Sequence, residues 1–208
     1  MKVNRRTQAE RTSATRAALI GAGRELFGAH GYAEVGTQAI VDAAGVTRGA
    51  LYHQFDDKKG LFTAVFDGLE QEVVALCAEA MADLAPTDPI AALKLGVRAF
   101  LDVFTDPVRH RIGLVDAPSV LGWTEWRARG EQFGFALLEG LIAAAIELGQ
   151  VPAQPVRPIA HVAIGALDEA ALYVAAADDR QQATAEVLVV LDRVIDSFVD
   201  DRPRSPVG

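Results

Sequence analysis

The sequence predicts an all-α protein of roughly nine helices, an N-terminal three-helix head followed by a larger helical domain. Strand signals are nearly absent from its 208 residues, and Ala, Leu and Glu dominate. Short breaks at Gly or Pro separate stretches of helical periodicity. The segment Thr37–Lys59, TQAIVDAAGVTRGALYHQFDDKK, reads as two short helices joined by a tight turn, with polar side chains left outside on the second. That pattern is a helix-turn-helix, which lays one helix into the major groove of DNA.

The first helix is expected from about Ser13 to Ala29. Ser13 suits an N-cap, and Leu19, Ile20, Gly23, Leu26 and Phe27 form an apolar stripe. Gly31 fits the left-handed residue that ends a helix, with Tyr32 packing behind it. Thr37 is expected to cap the second helix, Gln38 to Ala44, whose Ile40, Val41 and Ala44 face inward. Gly45 makes the turn, where only glycine adopts a left-handed backbone without strain. Val46 fills the space between the helices. Thr47 caps the third helix, Arg48 to Gln54, which Leu51 and Phe55 anchor to the core. Arg48, Gly49, Tyr52, His53 and Gln54 are then left outside.

Asp57 caps the fourth helix, which carries Leu61, Phe62, Val65, Phe66 and Leu69 and runs to about Leu84. Ala85-Pro-Thr-Asp-Pro89 breaks the chain before a fifth helix, Ile90 to Phe104. Val108 to Trp126, with Gly113, Pro118 and Gly122, reads as one or two short helices. A strong helix follows from about Glu125 to Leu148 and stops at Gly149. Beyond the loop with Pro152 and Pro155 come two more, Pro158 to Ala177 and Ala183 to Val199.

Half of the residues are hydrophobic and 23% are charged, so a packed core is expected rather than disorder. No apolar run reaches the ~20 residues of a spanning helix. The polar N-terminus lacks the apolar centre of a signal peptide. A cytoplasmic protein without a membrane partner is expected. Cys77, the only cysteine, cannot form an internal disulfide and reads as a small apolar core residue. No His, Cys and Asp grouping has metal-ligand spacing, and no nucleophile motif or phosphate-cradling loop occurs. Neither an enzyme nor a metal or cofactor is expected.

The net charge of -8 opposes DNA binding as an average over the chain, but its distribution does not. Residues 1–60 hold nine Lys/Arg against six Asp/Glu, and residues 61–208 hold eleven against twenty-two. A basic head on an acidic body is what a modular DNA-binding protein shows. The expected division is therefore residues 1–60 as the helix-turn-helix domain, 61–200 as a helical body and 201–208 as a disordered tail. The head begins with a basic arm, Lys2, Arg5, Arg6 and Arg11, which suits phosphate or minor-groove contact and equally a solvated tail.

With Phe27 and Gly31-Tyr32 ahead of it, and Leu51-Tyr52-His53-Gln54-Phe55 and Lys58-Lys59-Gly-Leu61 behind, the turn resembles the tetracycline-repressor (TetR) family of bacterial transcriptional regulators. The resemblance covers residues 13–68; the rest agrees in length and helical character. It implies a homodimer whose subunits each join a DNA-binding head to a ligand-binding and dimerisation body. It implies that Thr37 meets a phosphate at the start of the second helix, that Arg48 and Gly49 face bases, that Tyr52 binds phosphate, that Gln54 faces DNA and that Lys58 grips the backbone. Thr47 and His53 complete the expected DNA-binding set, although His53 also suits packing on the head. These roles fit the residue types. Arginine can bond a guanine edge in bidentate fashion, helix N-termini attract phosphate, and Tyr and Lys position without reading sequence. Gly49 is a poor helix former and admits close approach of a backbone.

In the body, Arg109 to Gln132 carries an LVD-P-VLGW pattern resembling one branch of that family, with no ligand attached to it. Trp123, Trp126, Phe100, Phe104 and Phe133, with Asp116 as a polar hook, suit a pocket for an apolar or aromatic effector; they also suit ordinary core packing. His110 is a second polar candidate. The last two helices are rich in small and aliphatic residues. His161, Gly165, Asp168, Leu172, Leu191 and Ile195 are the expected dimer interface, as part of a four-helix arrangement between subunits. The expected function is a ligand-responsive regulator, a repressor binding a palindromic operator in double-stranded DNA and answering to an unknown small molecule. The alternative is a small-molecule-binding or scaffold protein that no longer binds DNA, against which Arg48, Tyr52 and Lys58 argue.

Overall fold

The computed structural model describes residues 8–199. Lys2, Arg5 and Arg6 of the basic arm, and the tail from 201 to 208, lie outside the described residues. Among the described residues the regular elements are nine helices. They are α1 (Gln8–His30), α2 (Thr37–Ala44), α3 (Arg48–Phe55), α4 (Lys58–Met81), α5 (Pro89–Val103), α6 (described below), α7 (Trp123–Glu147), α8 (Val156–Ala176) and α9 (Arg180–Asp196). The chain packs as two compact units. One comprises the chain up to Gln71 together with Asp106–Arg129; the other comprises Glu72–Thr105 together with the chain from Gly130. This division by packing does not follow the boundary at residue 60 expected from the charge split.

The first unit has an aromatic centre. Phe27, Phe62 and Phe66 are fully buried, with Leu19, Ile40, Leu51 and Leu61 around them. Each such side chain contributes about 1.5–3 kcal/mol by leaving water. Phe27 and Tyr32 both stack on Phe62, at ring-centre distances of 5.3 and 5.1 Å, edge to face. α1 begins five residues before the expected Ser13. Thr37 is the first residue of α2 rather than its cap; Gly36 holds the cap position without a side-chain bond. Gly45 has φ 65°, the left-handed conformation the turn requires. Thr47 caps α3 as expected, its Oγ1 accepting from the Ala50 N–H at 3.2 Å. Asp57 Oδ1 accepts from the Gly60 N–H at 2.7 Å at the start of α4. Gly60 is forced by close approach: a Cβ there would lie 2.1 Å from the Phe55 carbonyl oxygen.

α6 is continuous but not uniform. Pro107–His110 is α-helical, Arg111–Asp116 is π-helical, and Ala117–Leu121 is α-helical again. Pro118 accounts for the change. It lacks an N–H and its ring crowds the carbonyl four residues back, so the ladder shifts and the Ala117 N–H donates to the Ile112 carbonyl. The Gly113 carbonyl is then taken by the Trp126 indole, Nε1 donating at 3.1 Å. Arg129 at the start of α7 forks onto Asp67 at 2.7 and 2.9 Å and also donates to Glu125. Glu125 in turn accepts from Lys59 at 3.3 Å. Burial alone would raise the Glu125 carboxyl, but the hydrogen bonds from Arg129 and Lys59 hold it below the ordinary range.

In the second unit Phe135, Leu138, Ile142 and Ala160 form a cluster with Leu93, Ile159 and Ile164 against it. Asp88 caps α5 through the Ala91 N–H and accepts from Gln150, while Gln150 accepts from the Ile90 N–H. That ties the α7–α8 loop to the start of α5. Arg98 pairs with Asp192 at 2.8 Å, and Lys94 pairs with Asp196, joining α5 to α9. Cys77 is buried, and burial pushes its thiol up to about 11, so it stays protonated and inert. α8 is long and apolar enough to cross a membrane, with a mean hydropathy of 1.4. Arg157, His161, Asp168 and Glu169 interrupt its apolar stretch.

Gly60→Ala should lower the stability of the chain by about 1–3 kcal/mol through the clash with Phe55. Gly21→Ala, on an exposed turn of α1 with nothing within 4 Å, should raise it by about 0.5–1 kcal/mol. Thermal denaturation of the two variants, side by side, checks both signs.

Candidate nucleic-acid interface

The exposed edge of the first unit is built on α3. Leu51 and Phe55 are buried, which turns Arg48, Gly49, Tyr52 and His53 outward together on the opposite side. Each residue turns the helix by about 100°, so Gln54 lies that far round from His53. It is half-buried and off this face. Its carbonyl accepts from Arg16 Nη1 at 3.3 Å, and the Arg16 guanidinium lies 4.4 Å from the Phe55 ring centre. Arg16 therefore covers the C-terminal end of α3, where a cation is favoured. Nothing in the sequence singles Arg16 out, because α1 carries several exposed charges and periodicity does not say which of them meets α3.

Tyr52 gathers the polar edge. Arg48 Nη2 donates to its phenol oxygen in a long contact of 3.5 Å, with the guanidinium 5.8 Å from the ring centre. The hydrogen bond from Arg48 and then the one with Thr37 lower the Tyr52 phenol from its ordinary value. Thr37 at the start of α2 thus lies near the Tyr52 phenol of α3, which Arg48 contacts as well. The first-turn N–H groups of α2 lack a side-chain cap, which leaves donors of the kind that receive phosphate.

Lys58 is committed to the protein. Its Nζ donates to the Tyr32 carbonyl at 2.9 Å and the Val35 carbonyl at 3.0 Å, and lies 4.1 Å from the Tyr32 ring centre. One of its three N–H bonds remains for another acceptor. Thr47 is exposed beside these groups, its hydroxyl occupied as the cap. Asp56 has φ 61° in a tight turn after α3, the Asp57 N–H meeting the Phe55 carbonyl at 2.6 Å. That backbone conformation is rare for a residue with a Cβ.

The residues expected to hold an effector fall in both units. Trp126 is buried and bonded to Gly113, whereas Trp123 is 67% exposed beside it, at 5.0 Å between ring centres. Asp116 Oδ2 accepts from the Tyr32 N–H at 2.8 Å. These three belong to the first unit. In the second, Phe100 and Phe104 stack at 4.9 Å and Phe133 is half-buried. An apolar cleft in the second unit is lined by other residues, from α5, α7, α8, α9 and the α7–α8 loop. Among the described residues no His, Cys, Asp and Glu grouping could hold a metal.

Of the residues expected at a subunit interface, Leu191 and Ile195 are buried within the chain. His161 Nδ1 lies 3.2 Å from Glu131 Oε1, with its ring against Phe135. Gly165, Asp168 and Leu172 are half-buried. The exposed apolar side chains of α8 and α9 are instead Val162, Tyr173, Val189, Val190 and Val194.

Two family profiles match the chain: "Bacterial regulatory proteins, tetR family" over residues 19–65 and "Tetracyclin repressor-like, C-terminal domain" over residues 90–198. A crystal structure of a TetR-family transcriptional regulator from Pectobacterium atrosepticum is similar at 30% identity and a TM-score of 0.81, covering 96% of this chain and 100% of that one. The transposon Tn10 TetC protein of Escherichia coli is 26% identical over 150 residues, 72% of this chain and 75% of that protein. The HTH-type transcriptional regulator CymR of Pseudomonas putida is 36% identical over 104 residues, 49% of this chain and about half, 51%, of that protein. The exposed helix-turn-helix and the helical body agree with both profiles, and the chain belongs to the TetR family of transcriptional regulators, DNA-binding proteins rather than enzymes.

Proposed function

We propose that this regulator is a ligand-responsive repressor that binds a palindromic operator as a homodimer in the cytoplasm. The exposed face of α3, where Arg48 contacts Tyr52 opposite the buried Leu51 and Phe55, carries the reading. α3 enters the major groove, with Arg48 able to reach a base edge. Tyr52, Thr37, Thr47 and the free N–H groups of α2 hold the phosphates on either side. Lys58 acts on DNA with its remaining N–H and first of all fixes the turn behind α2. His53 shares the face, and Gln54 acts from its margin.

Gly49 supports close approach. It is exposed in α3, and a Cβ there would meet only Thr47 Oγ1, at 3.9 Å. No packing within the chain requires glycine at this position, and alanine would favour the helix. A neighbour outside the chain is the remaining reason for it.

Residues 1–60 serve as the DNA-binding domain and 61–200 as the ligand-binding and dimerisation domain. The second copy covers the exposed apolar side of α8 and α9, where Val162, Tyr173 and Val190 stand in water. His161, Gly165, Asp168 and Leu172 flank that side, with Leu191 and Ile195 supporting it from within. An effector bound in the body changes DNA affinity only if it binds the two states of the protein unequally.

Selection of duplexes from random DNA by the purified chain should yield a palindromic site bound in a salt-sensitive way; failure to enrich any sequence would sink the reading. On the enriched site, Arg48→Ala should relax preference at one base pair, costing about 1–3 kcal/mol of discrimination, whereas Tyr52→Phe should weaken all duplexes alike. Gly49→Ala should raise the melting temperature while lowering operator affinity; improved stability with unchanged affinity would leave the glycine without a role at DNA. Val190→Glu should convert the dimer to monomer in sedimentation experiments, with the helical content retained.

A further inference from the structure

The second unit contains an apolar cleft whose empty space, open solvent at its mouth included, is about 740 Å³. It exists because small residues stand where larger ones would fill it. Ala145 of α7 and Ala163 and Ala166 of α8 face it, with the branched side chains of α5 and α9 opposite. Among the described residues Gln154, in the α7–α8 loop, is the single polar one in the lining, and none of those lining it is charged. Among them the one aromatic residue is Phe198, beyond the end of α9.

We propose that this cleft is the effector site of the ligand-responsive regulator inferred above, and that it takes a small, uncharged, mainly aliphatic molecule with one hydrogen-bonding group. A charged ligand is disfavoured because no described residue of the lining can pair with it, and an unpaired charge in apolar surroundings is costly. A flat aromatic ligand lacks the paired rings that would sandwich it. Walls of Ile, Leu and Val fit a hydrocarbon chain, and the Gln154 amide can donate to or accept from one hydroxyl or carbonyl. The seam between α5 and α9 is closed by Lys94–Asp196 and Arg98–Asp192, pairs that are partly exposed. Such pairs hold weakly, so the seam can part to admit a guest.

The test uses the full-length protein with 1-octanol and octanoate as probes, followed by calorimetry at pH 8 without DNA. Octanol should bind once per chain, and octanoate at least tenfold more weakly. Ala166→Leu, which fills the cleft, should reduce octanol affinity more than tenfold while leaving operator affinity within about twofold of the parent. Gln154→Leu, in a loop and without effect on helix packing, should weaken octanol by about threefold to tenfold, the worth of one hydrogen bond. It decides the matter should Ala166→Leu fail to fold. Octanol should also change operator affinity in the parent and not in Ala166→Leu.

Absence of octanol binding, equal binding of octanoate, or undiminished binding by the folded variants would overturn the assignment. Binding that leaves operator affinity unchanged would overturn the effector role. A shift in the dimer equilibrium by Ala166→Leu, without octanol binding, would assign the cleft to a second copy instead. Because calorimetry needs no DNA, a chain that selects no duplex but binds octanol refutes the regulator reading and not the cleft.

Discussion

The exposed edge of α2 and α3 rests on how Tyr32 is held. In the turn between α1 and α2, side chains meet backbone polar groups that no helix ladder satisfies. Asp116 takes the Tyr32 N–H and Lys58 takes the Tyr32 and Val35 carbonyls. The ring between them is stacked edge to face on Phe62, with the Lys58 ammonium against its face. One residue thereby joins α1, α4 and α6 and sets where α2 begins. Burial, followed by the charge of Asp57, raises the Tyr32 phenol above its ordinary value, so the ring stays neutral where an anion would be misplaced.

Local chemistry was legible in the sequence because each local choice has one dominant physical cause. Thr47 and Asp57 were readable as caps, and Gly45 as the left-handed turn, because the orphan N–H groups and the positive φ admit few residue types. The helices were legible from periodicity to within a few residues. Lys58 shows where such reasoning stops. The resemblance gives it a role at the DNA backbone, and nothing in its spacing reveals that two carbonyls more than twenty residues earlier claim it first. The π-helical stretch was half visible: Pro118 announced an irregularity, but the group that takes the released Gly113 carbonyl, the Trp126 indole, is met only in three dimensions.

The aromatic residues teach the same lesson. Trp123, Trp126, Phe100, Phe104 and Phe133 are close in sequence, and proximity in sequence suggested one pocket. The packing instead assigns them to two units and gives Trp126 and Asp116 work in holding α6. The apolar cleft lies among residues that no sequence rule singles out. Alanines mark a cavity only by what fails to reach it, and a helix rich in alanine reads identically whether its neighbours close upon it or not. The apolar character of α8 and α9 was legible as composition but not as phase: Leu191 and Ile195 turn inward, while Val162, Tyr173 and Val190 turn out.

An uncharged guest can alter DNA affinity only through packing, and the magnitudes allow it. A tenfold change in affinity corresponds to about 1.4 kcal/mol of differential binding. Burying two more methylene groups in one state than in the other supplies about 1.6 kcal/mol. The opposing cost of loosening the α5–α9 seam is small, since partly exposed ion pairs are worth about 0–1 kcal/mol each. A hydrocarbon chain of modest length thus carries enough differential burial to act as a switch, provided the wall it presses on has two packings. Ala163 and Ala166 on one side, and ion pairs rather than interlocked side chains on the other, are the features that leave a second packing within reach.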